Sequence, residues 1–291
     1  MSKEPARPAS WVRPYAEAPH TDIDPGTRTW IGRGANFVIV LSEVEAGAVL
    51  SRDDNPDEYM VLTTGPAVAI EAGGERIEAA PETVTIVPPG PSTVTALAAG
   101  QVVRVFTSEA RDLAALAGNA AAYTGPTPDV APIVPWPEPV GGYRLRNYRL
   151  ADHTREGSNM RVFRSRSLML NVTTVRHEPR GTDKLTPHSH ADFEQGSLTV
   201  SGTYVHHLRY PWTPDMADWR EDQHIELQSP SMLVITPNTI HTSRNIGSEP
   251  GWLIDVFAPP RMDFSLREGV VANAGEYPLP QEAAKLEGES T

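Results

Sequence analysis

The chain has 291 residues, enough for two domains of ordinary size, and its 28 prolines and 22 glycines favour many short elements joined by turns over long helices. It contains no cysteine, which excludes disulfides, thiolate metal ligands, iron–sulfur clusters and cysteine nucleophiles. A net charge of −12 argues against binding to nucleic acid or anionic membranes. No apolar run reaches the roughly 18 residues of a membrane span and the start lacks a signal-peptide core, so a cytoplasmic location is expected.

In chain order, residues 1–27 are proline-rich and aperiodic and read as an arm lying over the body. Residues 28–108 form a first β-rich block, with aliphatic runs at Phe37 to Leu41, Glu58 to Thr63, Ala67 to Ile70, Thr83 to Val87 and Gln101 to Phe106. Turn signals such as Gly73-Gly74 and Pro88-Pro89-Gly90 separate them, the spacing of a β-sandwich or barrel. Residues 109–142 hold the helical stretch, Glu109 to Ala121, dense in alanine and leucine, and a linker with five prolines between Gly125 and Pro137. A second β-rich block spans 143–264, and 265–291 read as a charged tail.

The blocks look like a weak internal repeat. Glu58 is followed seven positions later by Gly65, and Gln195 seven positions later by Gly202. Each block then has a proline turn after a strand, at Val87-Pro88-Pro89-Gly90 and at Ile235-Thr236-Pro237-Asn238.

The chemistry-bearing segment is Pro187-His188-Ser189-His190-Ala191-Asp192-Phe193-Glu194-Gln195. Residues two apart on a strand share a face, so His188 and His190 can bind one divalent cation. His241, behind the turn at Pro237, supplies a third imidazole from another strand. This pattern resembles the cupin superfamily, whose first motif is G-x5-H-x-H-x(3,4)-E-x6-G and whose second is G-x5-P-x-G-x2-H-x3-N. Gly181, His188, His190 and Gly202 follow the first with one extra residue after Gly181; Pro237, His241 and Asn245 follow the second with one residue fewer after the proline. The resemblance implies an all-β fold of two jelly-roll-like cupin barrels in tandem, joined by a short helix and a Pro-rich linker.

It also implies one divalent transition metal ion, iron by preference and otherwise manganese, nickel or zinc, held by His188, His190 and His241. The family's glutamate position holds Gln195, with Glu194 one residue ahead. Gln195 is preferred as fourth ligand by the repeat spacing, Glu194 remaining the alternative; with Gln195 in place, Glu194 is expected beside the metal, and it or a pocket histidine is the group that moves protons. In the first block Ser51, Asp53 and Thr93 stand where the histidines would, so that block is read as having lost the site.

The expected activity is a metal-dependent, dioxygenase-type reaction on a small organic substrate, such as an enol, diketone, hydroxy acid or aromatic. A non-redox isomerase, lyase or decarboxylase, and a non-catalytic ligand-binding module, are the alternatives. A homodimer is expected, because cupin barrels commonly pair and sheet edges need covering. The loop Tyr210 to Arg220 is a lid, a dimer contact or a strap packed on the outer sheet, one of His206 and His207 faces inward, and Arg161, Arg164 and Arg166 read as a solvated strand edge. Arg176 and Arg209 remain candidate pocket cations.

Overall fold

The computed structural model describes residues 6–280. Ten strands come first: β1 (Ser10–Val12), β2 (Thr27–Arg33), β3 (Phe37–Val44), β4 (Val49–Arg52), β5 (Tyr59–Thr63), β6 (Val68–Ala72), β7 (Glu75–Ala79), β8 (Thr83–Val87), β9 (Ser92–Ala96) and β10 (Gly100–Thr107). After the short helix α1 (Arg111–Ala115) come β11 (Arg146–Arg149), β12 (Val162–Arg164), β13 (Met169–Val172), β14 (Gln195–Ser201), β15 (Tyr204–Arg209), β16 (Gln223–Leu227), β17 (Ser231–Ile235), β18 (Ile240–Asn245) and β19 (Trp252–Phe257), then α2 (Met262–Ser265). The all-β class expected from the sequence is the class found.

These strands make four antiparallel sheets stacked in layers. A four-stranded sheet (β4-β9-β6-β7) faces a six-stranded one (β11-β8-β5-β10-β3-β2), and a second six-stranded sheet (β1-β17-β14-β19-β13-β12) faces a three-stranded one (β16-β15-β18). The two six-stranded sheets pack back to back. Ile39, Leu41, Met60 and Val105 from one share a core with Leu170, Leu198, Val234 and Val256 from the other. The opposite side of β3, through Val38 and Val40, joins a second core inside the N-terminal sandwich. A strand buried on both faces must be apolar at successive positions, which is why Phe37 to Leu41 is an unbroken hydrophobic run.

The halves exchange strands. β1, which precedes the N-terminal sandwich, hydrogen-bonds to β17 of the C-terminal one; β11, which precedes the C-terminal sandwich, hydrogen-bonds to β8 of the N-terminal one. The proline-rich arm is therefore stitched into the sheet of the other half.

Register shows the internal repeat and corrects its alignment. Tyr59 pairs with Val87 as Gln195 pairs with Ile235, so the partner of Gln195 is Tyr59, and Glu58 corresponds to Glu194. The sequence count was off by one because β14 carries an irregularity between Thr199 and Ser201, where one extra residue bulges out of the ladder ahead of Gly202. Gly202 itself has φ +85, and a Cβ there would lie 2.7 Å from Gly251 Cα.

The two glutamates do matching work. Glu58 accepts the Arg166 backbone N–H (3.4 Å) in the β12–β13 turn, and Glu194 accepts that of Ala35 (2.6 Å) in the β2–β3 turn. Tyr277 donates to Glu58 at 2.8 Å; Tyr123 and Arg7 donate to Glu194 at 3.2 and 2.5 Å. Each buried carboxylate thus pins a turn of the other half. Asn119 and Asn273 complete the pattern, the first bonding both the N–H and the C=O of Arg33 and the second those of Arg164.

These clamps explain three departures from expectation. The helix expected over Glu109 to Ala121 is only Arg111–Ala115 followed by a 3₁₀ turn at Ala120–Tyr123, because Gly118 N–H is diverted to Ile31 C=O (2.8 Å) and Asn119 is held by Arg33. Residues 265–280 are packed rather than trailing, with Tyr277 buried at Glu58; the rest of the expected tail, 281–291, lies outside the described residues. Arg161 and Arg164 are buried, not a solvated edge, and donate to the carbonyls of Val172 and Tyr277; Arg166, half-buried, donates to the Tyr143 hydroxyl.

Candidate metal centre

His188 lies on the segment that leads into β14, and His241 is the second residue of β18. The two exchange backbone hydrogen bonds, His188 N–H to His241 C=O at 3.1 Å and the reverse at 2.8 Å. The proline turn locks the third histidine. Asn238, in the left-handed region at φ 60, donates its backbone N–H to His190 C=O at 2.6 Å, and its side chain to Ala191 C=O at 3.1 Å. The ligand nitrogens of His188, His190 and His241 lie within 4.8 Å of one another. His190 and His241 are buried and His188 is exposed. Loss of hydration pushes His190 down to about 3 and His241 down to about 4, so both imidazoles are neutral and can offer lone pairs at neutral pH.

Gln195 is the fourth member of the cluster. Its Oε1 lies 3.1 Å from His190 Nε2 and 3.2 Å from His241 Nε2. Its amide nitrogen donates to Asp255 Oδ1 (3.0 Å) and Ser197 Oγ (3.1 Å), which turns the carbonyl oxygen toward the histidines. His241 Nδ1 lies 2.9 Å from Thr239 C=O, a partner that requires the proton on Nδ1 and leaves Nε2 bare. Two acceptors, His241 Nε2 and Gln195 Oε1, then face each other with no proton between them. That arrangement is repulsive by itself and favourable around a cation, so the donor set fits a divalent metal. His188 Nδ1 is tied in the same way to Thr186 C=O at 2.9 Å.

Glu194 does not join them. Alternation along the strand sends Gln195 into the C-terminal sandwich and Glu194 to the other side, where Arg7, Ala35 and Tyr123 hold it. The proton-moving role expected of Glu194 at the metal has no geometric basis. The carboxyl on this side is Asp255, half-buried in the middle of β19, which accepts from Gln195, Ser197 and Asn171. Burial pushes it up to about 6.

A cavity of about 200 Å³ opens beside the cluster, lined by His188, Gln195, His241, Asp255 and, further along, Arg176 and Arg180. Asp255, Arg180 and Asn171 were not singled out from the sequence. An acid in the middle of the apolar strand Trp252–Phe257 was the signal for Asp255; nothing local marked Arg180. Of the two candidate pocket cations, Arg176 lines the cavity and Arg209 is an exposed partner of Asp222. His206 is the inward member of its pair, fully buried against Ser243 Oγ (2.8 Å) and not on the cavity wall; His207 faces out beside His224. The loop after β15 lies apart from the cavity, with Trp212 and Trp219 stacked at 4.5 Å against the surface near Ile240.

No family model matches the sequence, and no curated protein matches it. Solved structures do. An oxalate decarboxylase from Lactobacillus farciminis in complex with formate superposes with a TM-score of 0.58 at 16% identity, covering 86% of each chain. Protein Ylba from E. coli gives 0.56 at 10% identity, over 88% of this chain and 92% of its own. An oxalate decarboxylase variant from Bacillus subtilis gives 0.54 at 13% identity, over 91% and 82%. At these identities the likeness shows the fold alone, an all-β architecture shared with those proteins, carried here with a three-histidine cluster able to hold a metal. Among the described residues no helix is long and apolar enough to cross a membrane.

Proposed function

We propose that the chain is a metal-dependent cupin enzyme of two barrels, in which the C-terminal barrel turns over a small organic substrate and the N-terminal barrel supports it. The observation that carries this reading is the convergence of His188, His190, His241 and the Gln195 carbonyl oxygen at the wall of a small polar cavity. A ring of neutral donors leaves the ion its full positive charge and open positions, and when bound the metal supplies Lewis-acid polarisation or, as iron, dioxygen chemistry.

The protein's own groups do the rest. Thr186 and Thr239 carbonyls fix the tautomers of His188 and His241, and Asp255 fixes which end of the Gln195 amide faces them. Asp255 is also the carboxyl on the cavity wall, placed to take a proton from a bound substrate, the role first expected of Glu194. A dioxygenase-type reaction is the reading that the three-histidine set favours. A non-redox reaction is the second, favoured by Asp255 and in keeping with the fold shared with oxalate decarboxylases.

Metal content of the purified protein, measured by elemental mass spectrometry beside His188→Ala and His241→Ala, tests the site. Near-stoichiometric metal in the wild type and loss in both variants is expected; a wild type that neither carries nor takes up metal removes the proposal. Oxygen-uptake assays with enols, diketones and hydroxy acids, repeated under strict anaerobiosis, separate the two reactions, since turnover without oxygen excludes the dioxygenase.

A further inference from the structure

The cavity wall away from the histidines has its own chemistry. Arg180 donates only to neutral oxygens, the carbonyls of Ser243 (3.0 Å) and Lys184 (3.1 Å) and the Thr186 hydroxyl (3.1 Å). The Arg176 side chain makes no hydrogen bond or ion pair with any described residue, although its backbone is anchored to Gly251 on both sides. Two guanidinium groups therefore face one small space with no acid paired to either, and burial together with the neighbouring Arg176 charge pulls Arg180 down from its usual range. Both arginines also line an outer hollow with Lys184 and His177 and with two acids, Glu178 and Asp183, so cations outnumber acids at the approach by three to two in a chain whose net charge is −12. Such a mouth draws anions in.

Two further groups lie on the same wall. Asn171 and Asn245 are 6% and 0% exposed, and each has its side-chain oxygen buried without a partner. Their amide nitrogens are already used, by Asp255 Oδ2 (3.1 Å) and Glu178 C=O (3.5 Å). What remains is a pair of acceptors that need donors. A dicarboxylate has none to offer and would set its second charge near Asp255.

We infer that the cavity binds a small hydroxylated monocarboxylate, its carboxylate on Arg176 and Arg180 and its hydroxyl groups donating to Asn171 and Asn245. The volume of about 200 Å³, at about 30 Å³ for each water displaced, holds about seven water-sized groups and limits the ligand to roughly three or four carbons. The inference deepens the enzyme reading above by naming the substrate class, and its arginine contact stands with or without a metal.

Calorimetric titration of the whole protein with threonate, a four-carbon trihydroxy monocarboxylate, is the test, run on zinc-loaded and on chelator-stripped samples. Threonate is expected to bind, its uncharged analogue threitol not to, and oxalate to bind more weakly than threonate. Arg176→Gln, which removes a guanidinium that carries no internal contact, is expected to weaken threonate by about 10- to 100-fold with an unchanged melting temperature. Equal binding of threitol, tighter binding of oxalate, an unmoved Arg176→Gln affinity, or no threonate binding at all would each overturn the assignment. If the protein takes no metal yet binds threonate through Arg176, the metalloenzyme reading fails and this one holds; if it loads metal and ignores threonate, the reverse is true.

Discussion

The same strand positions are filled in opposite ways in the two sandwiches. Register equates Val40 with Asn171, Tyr59 with Gln195, Val61 with Ser197 and Arg104 with Asp255. In the N-terminal half these side chains close the interior: Tyr59 stacks on Phe106 at 4.6 Å and donates or accepts at Ser92 Oγ (2.9 Å), while Arg104 reaches Asp24 at 3.1 Å. With the register corrected by one, the pair Arg52 and Ser92, not the Ser51 and Thr93 expected from the sequence count, stands where His188 and His241 stand in the other half, and Ser92 meets Tyr59 as His241 meets Gln195. In the C-terminal half the corresponding positions are small or polar and leave the cavity. One scaffold was filled and the other left open, and the back-to-back core between them did not need to change. The lesson is that function here sits in the inward-facing positions of a few central strands, because the outward-facing ones are committed to holding the halves together.

The largest expected effect strikes the filled half. Arg104→Met strands Asp24 as a buried, unpaired acid and should cost about 3–5 kcal/mol, with a substantial part restored in Arg104→Met/Asp24→Asn; denaturant titration of both reads this. A single variant that loses less than about 1 kcal/mol would show that the N-terminal interior is not closed by this pair.

Next comes a pH effect at the clamp between the halves. Burial pushes Glu58 up to about 7 from an ordinary 4.5. The folded state then holds a proton that the unfolded state has released, so stability falls as pH rises from about 4.5 to 7 and is level beyond, by about 3 kcal/mol in all. Glu58→Gln should flatten this fall, seen as unfolding midpoints that no longer drop between pH 5 and 8.

In the open half, Asp255→Leu leaves the Gln195 amide free to turn. About 10- to 100-fold weaker metal binding is expected, measured by competition with a chromogenic chelator, while Glu58→Gln leaves metal affinity unchanged. Equal losses in both would mean that metal binding depends on the integrity of the whole fold rather than on the donor set. The smallest effect belongs to the exposed Trp212, where alanine should cost about 0.5–1 kcal/mol through loss of the stack on Trp219 and leave metal content untouched. A changed metal content would bring the lid reading of that loop back.

The histidine cluster was legible because strand alternation is a local rule: His188 and His190 two apart, and His241 behind a proline turn, need only a β context to converge. Gln195 was chosen over Glu194 for a reason that the structure does not support. Spacing to Gly65 and Gly202 misaligned the repeat by one residue, since a bulge in β14 adds a position that no count can see. Alternation, not the repeat, decides which of the two neighbours faces the histidines. Arg180 and the partnerless oxygens of Asn171 and Asn245 left no local trace, as each acquires its meaning from residues dozens of positions away.

What the sequence by itself determined is what periodicity and composition encode: an all-β chain, two similar blocks, a linker between them, and a nitrogen donor set without thiols. Only the tertiary structure decided that the blocks trade their first strands, that two buried glutamates at equivalent positions each pin a turn of the opposite half, and that Asp255 is the carboxyl at the cavity. Those facts depend on register and on which face of a sheet meets which partner. A one-residue shift in register inverts every side chain on a strand, and nothing in the residues of that strand alone records where its neighbours begin.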